Sequence, residues 1–365
     1  MAAITEDAAG TGPMHRVRRA VRTLAPGYFA LVMGSGIISV GMRLEGFELL
    51  SQLLAWVCGI AYALLLVLTV WRLLRYRSDI LDEFTDARRA FGYFTFVAGT
   101  NVLGVRLSMD GHVFWTAALL VLSFGSWIVL GYVVPWTAVL GRTNRPVVAT
   151  ANGTWFIWVV ASQSVAVASA SLQPGSDQEL SGWLALLAVV SWSVGIFLYA
   201  SAGVIVAMRM LLYELRAIDL NPPYWVAMGA CAITVLAGAR IVEMADAPMV
   251  NATRGLVAGL SVVFWAFATW LIPPLIAAGW WRHWRHRVPL TYDATLWSIV
   301  FPLGMYAVAG IYLGQADQLP VVGVIGAVEL WFAFLVWTLV FVAMVVHLWR
   351  TVLTDRASSI PPPGR

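Results

Sequence analysis

The chain has 365 residues, 60% hydrophobic and only 12% charged, with a mean hydropathy of +0.79. Soluble domains carry about 25% charged residues, and here the apolar excess lies in long runs, so a soluble fold is excluded and an all-α integral membrane protein is indicated. The net charge of +4 comes wholly from arginine, which gathers at the ends of the apolar runs, so it implies no nucleic-acid partner.

Residues 1–25 read as a polar, disordered N-terminal tail that turns basic at His15, Arg16, Arg18, Arg19 and Arg22. This stretch enters a glycine-rich apolar segment without a small-residue cleavage site, so the segment reads as a retained first helix. Ten spans follow, at about 26–42, 52–71, 91–107, 112–134, 147–171, 181–209, 224–243, 251–279, 294–314 and 321–349. They make one transmembrane domain over 26–349, with 350–365 left as a C-terminal tail. Short connections pair consecutive helices as five antiparallel hairpins.

Arginine placement orients the chain. With the N-terminus in the cytoplasm, 19 of the 23 arginines fall on the cytoplasmic side, and only Arg43, Arg106, Arg240 and Arg254 fall outside. An even number of spans places both termini in the cytoplasm. The connection 72–90 carries mixed charge and reads as a solvated helix extension, with a partner or lipid site as the alternative.

The spans alternate in character. Odd spans are shorter and more polar: Ser35 and Ser39 in the first, Thr95, Thr100 and Asn101 in the third, Thr150, Asn152, Thr154, Ser162, Gln163 and Ser164 in the fifth, Thr234 in the seventh. Even spans are rich in Leu, Val, Ala and Trp. Polar side chains avoid lipid, so the expected arrangement is an inner ring of odd helices around a pore and an outer ring of even ones.

The ninth span carries Pro302 in its first half and Gly304 and Gly310 after it. Proline removes a backbone donor and clashes one turn back, which predicts a kink near Phe301. Such a helix belongs inside a bundle. Pro302, Gly304, Gly310 and the odd-helix glycines Gly34, Gly36, Gly99 and Gly238 are the expected pore-shaping positions.

No phosphate-binding loop, His-Glu-x-x-His pattern, Cys/His cluster or mid-span histidine pair is visible, so no cofactor or metal is implied and no enzyme chemistry is indicated. Cys58 and Cys231 fall mid-span and read as small buried residues. Passage of a solute remains. A pathway of hydroxyls, amides and half-helix backbone suits a weakly bound anion, with Asn101, Asn152 and Gln163 as candidate hydrogen-bond donors. Glu329 is the carboxylate lying well inside a span. It is either a proton-coupling group or a structural carboxylate, paired with an arginine such as Arg240 or placed at a subunit contact. Phe301, beside the expected helix break, reads either as a packing residue of the bundle or as a ring that blocks and dewets a constriction.

The stretch Leu24–Ser39, with Pro26-Gly27-Tyr28-Phe29, resembles the opening of the tellurite-resistance/dicarboxylate transporter family. That family includes plant slow-type anion channels, malate transporters and sulfite exporters. Phe94–Gly104 and Trp297–Tyr306, with Phe301-Pro302-Leu303-Gly304, are similar to its other recurrent stretches. The resemblance covers all ten spans, with Ser35 where the family has threonine. It implies a homotrimer in the cell inner membrane with one pore per subunit, and a phenylalanine plugging the pore at the position of Phe301. The expected function is a passive channel for small anions or C4-dicarboxylates. The alternatives are a proton-coupled malate carrier built on Glu329, a sulfite or tellurite exporter, and a membrane protein that encloses no path.

Overall fold

The structure is a computed structural model that describes residues 13–141 and 146–353. Among these residues it is entirely helical, with twelve α-helices. They are α1 (Pro13–Arg22), α2 (Ala30–Leu44), α3 (Glu48–Arg75), α4 (Arg77–Phe84), α5 (Phe94–Ser108), α6 (Val113–Val134), α7 (Phe156–Leu172), α8 (Gln178–Leu212), α9 (Val226–Val242), α10 (Pro248–Trp280), α11 (Trp297–Ala316) and α12 (Pro320–Leu348). Among the described residues nine helices, taken with their flanking turns, are long and apolar enough to cross a membrane. The helix at the expected third span, α5, is not one of the nine: it has 15 residues and carries Arg106.

Two rings separate cleanly. In the windows that include α2, α7, α9 and α11, 78% to 89% of residues are buried, against 17% to 39% for α3, α6, α8, α10 and α12. Helix α2 packs on α5, α5 on α7, α7 on α9, α9 on α11, and α11 back on α2, so the inner ring closes with five members. Each inner helix is also packed against the outer helix that follows it in the chain, and each outer helix leans on the next inner one.

Every inner helix starts in the same way. A short 3-10 turn precedes it, at Pro26–Phe29, Ala90–Tyr93, Gly153–Trp155, Pro222–Trp225 and Ala294–Leu296. An aromatic residue stands at or beside each junction with the α-helix: Phe29, Tyr93, Trp155, Trp225 and Trp297. These turns touch one another in sequence and close a second ring, a collar at the N-terminal ends of the inner helices. The collar is tight. Tyr28 and Tyr292 share a hydroxyl hydrogen bond of 2.9 Å, and Thr95 Oγ1 donates to the Pro26 carbonyl at 3.0 Å. Gly153 lies so close to the Pro223 backbone that a Cβ there would overlap it. The hairpin is thus an internal structural repeat, although the five sequences share little beyond the aromatic junction.

Four features differ from expectation. The basic part of the N-terminal tail is helical: Arg22 pairs with Asp79 at 2.6 Å, and the Arg22 carbonyl accepts from Arg72 Nε at 3.0 Å. The connection after α3 is not wholly solvated. Arg72 and Glu83 are both buried and joined by two hydrogen bonds of 2.8 and 2.9 Å, and Arg89 and Tyr93 also reach Glu83. The expected fifth span starts too early, because Ala151 and Asn152 are extended and the α-helix begins at Phe156. At the other end of the chain, helical winding runs past residue 349 through Trp349–Leu353. Of the orienting arginines, Arg142, Arg145, Arg356 and Arg365 lie outside the described residues.

Candidate functional site

The inner ring encloses one narrow void, lined by residues of all five inner helices. Helix α2 gives Ile37 and Val40, α5 gives Asn101, Val102 and Val105, and α7 gives Ser164 and Val167. Helix α9 gives Ile233, Leu236 and Arg240, and α11 gives Met305 and Tyr312. Its volume open to the centre of a water-sized sphere is about 20 Å³, room for little more than one water.

Helical spacing places Phe301 on the same line. Met305 lies four residues after it and Tyr312 eleven after, so all three fall within about 40° on one face of α11. Phe301 is 1% exposed, one turn below the void and toward the collar. Opposite it stands Gly34 of α2, where an added Cβ would lie 3.6 Å from the Phe301 backbone nitrogen and 3.0 Å from Val300. Helix α11 runs unbroken through Pro302, whose ring packs against Gly229 of α9, 2.8 Å from where a Cβ would sit.

The expected glycines turn toward neighbouring helices. Gly304 meets Ile37 and Ile38 of α2, Gly99 meets Phe29 and Val32, and Gly36 meets Val102 and Cys58. Gly238 meets Ser261 of α10, and Gly310 meets Gly326 of α12, with a Cβ 3.1 Å from the Gly326 Cα. They let helices approach closely within and between the rings.

Of the three candidate donors, Asn101 alone borders the void. Its amide is already engaged: Nδ2 donates to Ser164 Oγ at 2.9 Å, and Ser123 Oγ donates to Oδ1. Asn152 precedes α7, where its Oδ1 accepts from the Thr154 backbone N–H at 2.8 Å and caps the 3-10 turn. Gln163 points to the outer ring, donating to the Trp192 carbonyl of α8 at 3.1 Å. Its Oε1 is buried without a protein partner.

Many odd-helix polar residues behave likewise. Ser35 accepts from Trp337, Ser39 donates to the Ser51 carbonyl, Thr100 pairs with Tyr62, and Ser162 donates to the Ser191 carbonyl. They fasten one ring to the other, and the void itself is mainly apolar. Of the expected hydroxyls and amides, Asn101 and Ser164 line it.

Glu329 is half-buried on the outer helix α12 and does not line the void. It forms no ion pair among the described residues. Arg240 instead pairs with Glu243 at 3.1 Å and lies over the Tyr312 ring at 5.2 Å. A further buried charge escaped the sequence reading. Arg106 is fully buried in α5, with Nε donating to Ser39 and Nη1 to Asp110, and Nη2 without a protein partner. The lining positions Met305 and Tyr312 also went unrecognised. Their spacing from Phe301 was the available signal.

No group of three or more His, Cys, Asp or Glu suited to a metal is found among the described residues, and both cysteines are buried and unbridged.

Comparison with known proteins places the chain among membrane transporters. Residues 23–345 match the family described as voltage-dependent anion channel. An uncharacterized membrane protein of Mycobacterium tuberculosis is 65% identical over 163 residues, which cover 45% of this chain and 83% of that one. An uncharacterized transporter of Methanocaldococcus jannaschii is 22% identical over 328 residues, 88% of this chain and 92% of that one. A second from the same organism is 21% identical over the same length.

Proposed function

The chain belongs to the voltage-dependent anion channel family, and on that premise we propose that it is a passive anion channel of the cell inner membrane, gated by Phe301. The observation that carries this reading is the void shared by all five inner helices, with the buried Phe301 one turn before Met305 on the void-facing line of α11. A large ring there excludes both water and solute, and its removal opens the path.

The direction of the helices supports an anion. All five inner helices start at the collar, so five positive dipole ends surround that mouth. The lining holds no carboxylate. The position of Glu329 on the outer ring favours passive flow over a proton-coupled carrier, since a coupling group belongs on the path. An exporter of sulfite or tellurite would use the same path, and the transported ion is a small inorganic anion or a C4-dicarboxylate.

In this reading α5 is the tenth span, short because it is wholly inside the bundle. Both termini face the cytoplasm, as the arginine placement implies, and the protein is a homotrimer with one path per subunit, as the family resemblance implies. Gly34, Gly36, Gly99, Gly304 and Pro302 set the width of the inner ring, while Gly238 and Gly310 seat it against the outer one.

The test is anion flux in proteoliposomes loaded with chloride, nitrate, sulfite or malate. Phe301→Ala is expected to pass anions many times faster than the wild type without a proton gradient. Flux in both proteins only under a proton gradient would replace the channel by a carrier.

A further inference from the structure

The two ends of the path differ in electrostatics. At the collar end the inner helices present N-termini. At the other end they present C-termini, whose dipoles are negative and oppose an anion. Four arginines stand near that second end, and three are tied to structural partners. Arg43 pairs with Glu48 and approaches Asp110 at 3.9 Å. Arg106 is held by Ser39 and Asp110. Arg254 donates to the Val242 and Met244 carbonyls at 3.0 and 3.3 Å, at the end of α9, and pairs with Asp246. Arg240 alone among them borders the void.

The Arg240 side chain is 23% exposed, and its Nη1 donates to Glu243, itself 35% exposed. Among the described residues its other guanidinium N–H groups have no protein acceptor. The Tyr312 ring, on the void-facing line of α11, lies beneath it at 5.2 Å. A guanidinium held by one carboxylate and one ring keeps free donors toward a passing ion.

Building on the channel reading, we propose that Arg240 is an anion-capture residue at the end of the path opposite Phe301. Glu243 is the competing anion that keeps its affinity low enough for release. The ligand class is a small inorganic anion or one carboxylate group of a larger acid, taken by the free guanidinium edge. Tyr312 fixes the guanidinium over the opening. Binding at a conduction site must be weak enough to let the ion leave, and the Glu243 carboxylate supplies that weakness.

The test uses the full-length protein with Phe301→Ala, in planar bilayers with chloride at low and high ionic strength. Adding Arg240→Gln should lower chloride current entering from the Arg240 side by about fivefold at low salt, and much less from the collar side. The asymmetry should fade at high salt as the charge is screened. Arg240→Lys should retain most of the current, and Glu243→Gln should raise entry from the same side. An equal loss in both directions, or a loss that salt does not change, would make Arg240 a packing residue and overturn the inference. A fall with Glu243→Gln would overturn the competing role of Glu243. If Phe301→Ala alone carries no chloride current, the channel reading itself fails, whatever Arg240 does.

Discussion

The inner and outer rings are made from the same apolar alphabet, yet they meet different surroundings. Outer helices such as α8, with 35 residues, show lipid one broad face, and several of their glycines meet nothing within 4 Å: Gly182, Gly203, Gly255 and Gly259. Inner helices have 15 to 20 residues and are enclosed by protein. On them a glycine is a contact and a hydroxyl is a fastener. Between helices in lipid no hydrophobic force acts, so close packing and hydrogen bonds must hold the rings together. The small and polar residues of the inner helices therefore report the seam between rings more than the lumen.

That contrast can be broken in several places. The largest effect is expected at Glu83, which joins outer helix α3 to the base of α5 through Arg72 and Tyr93. Glu83→Ala leaves a buried guanidinium unpaired and should cost about 3–5 kcal/mol, read as a lower unfolding temperature in detergent. Stability unchanged by this substitution would mean that water reaches Arg72. Next come the glycines. Gly326→Val drives a side chain into the α11 backbone, within 2.7 Å of the Ile311 nitrogen, and should cost about 1–3 kcal/mol or more. Gly203→Val, facing open space on α8, should be nearly neutral. Equal effects would erase the distinction between a glycine at the seam of the two rings and one on the open face of an outer helix. Ser123→Ala removes the donor to the Asn101 amide and should cost about 1–3 kcal/mol, because a buried acceptor is left unmet.

The smallest effect concerns pH at the connection outside the rings. The Arg22 guanidinium hydrogen-bonded to Asp79 holds its carboxyl below the usual carboxylate range. A depressed pKa gives stability that is present above the ordinary value of about 3.9 and lost as pH falls through the lower one. Docking of α1 should thus weaken only in strong acid, and Asp79→Asn should reproduce the loss at neutral pH. The pair is partly exposed, so the cost should stay below about 1 kcal/mol. Proteolysis after Arg22 as a function of pH measures it, and a midpoint near neutrality would contradict the assignment.

Much of this architecture is legible in the chain. Alternation of short polar and long apolar runs marks the two rings, because burial on all sides tolerates hydroxyls and lipid does not. The boundaries of the outer helices are less legible, since α3 runs four residues past the expected apolar run at each end, from Glu48 to Arg75. Arg106 reads as an outer-surface charge because hydropathy counts it alone. Its acceptors, Ser39 of α2 and Asp110, come together only by folding. Gln163 and Asn101 look alike in sequence, yet one faces α8 and the other the void, since a rotation of the helix decides which. The helix at Pro13–Arg22 is hidden by its arginines; Arg22 is matched by Asp79, and the helix packs on α3 and on the winding Trp349–Leu353.

The central claim is that the void between the five inner helices is the path and that Phe301 closes it. A cysteine at Met305, one turn beyond Phe301 on the void-facing line, tests this most directly. In Phe301→Ala/Met305→Cys, a small negatively charged thiol reagent should react and stop chloride current, while Phe301→Ala alone, with Cys58 and Cys231 buried, should be unaffected. Reaction at Met305→Cys that leaves the current unchanged would show that anions cross elsewhere, and the account would fall.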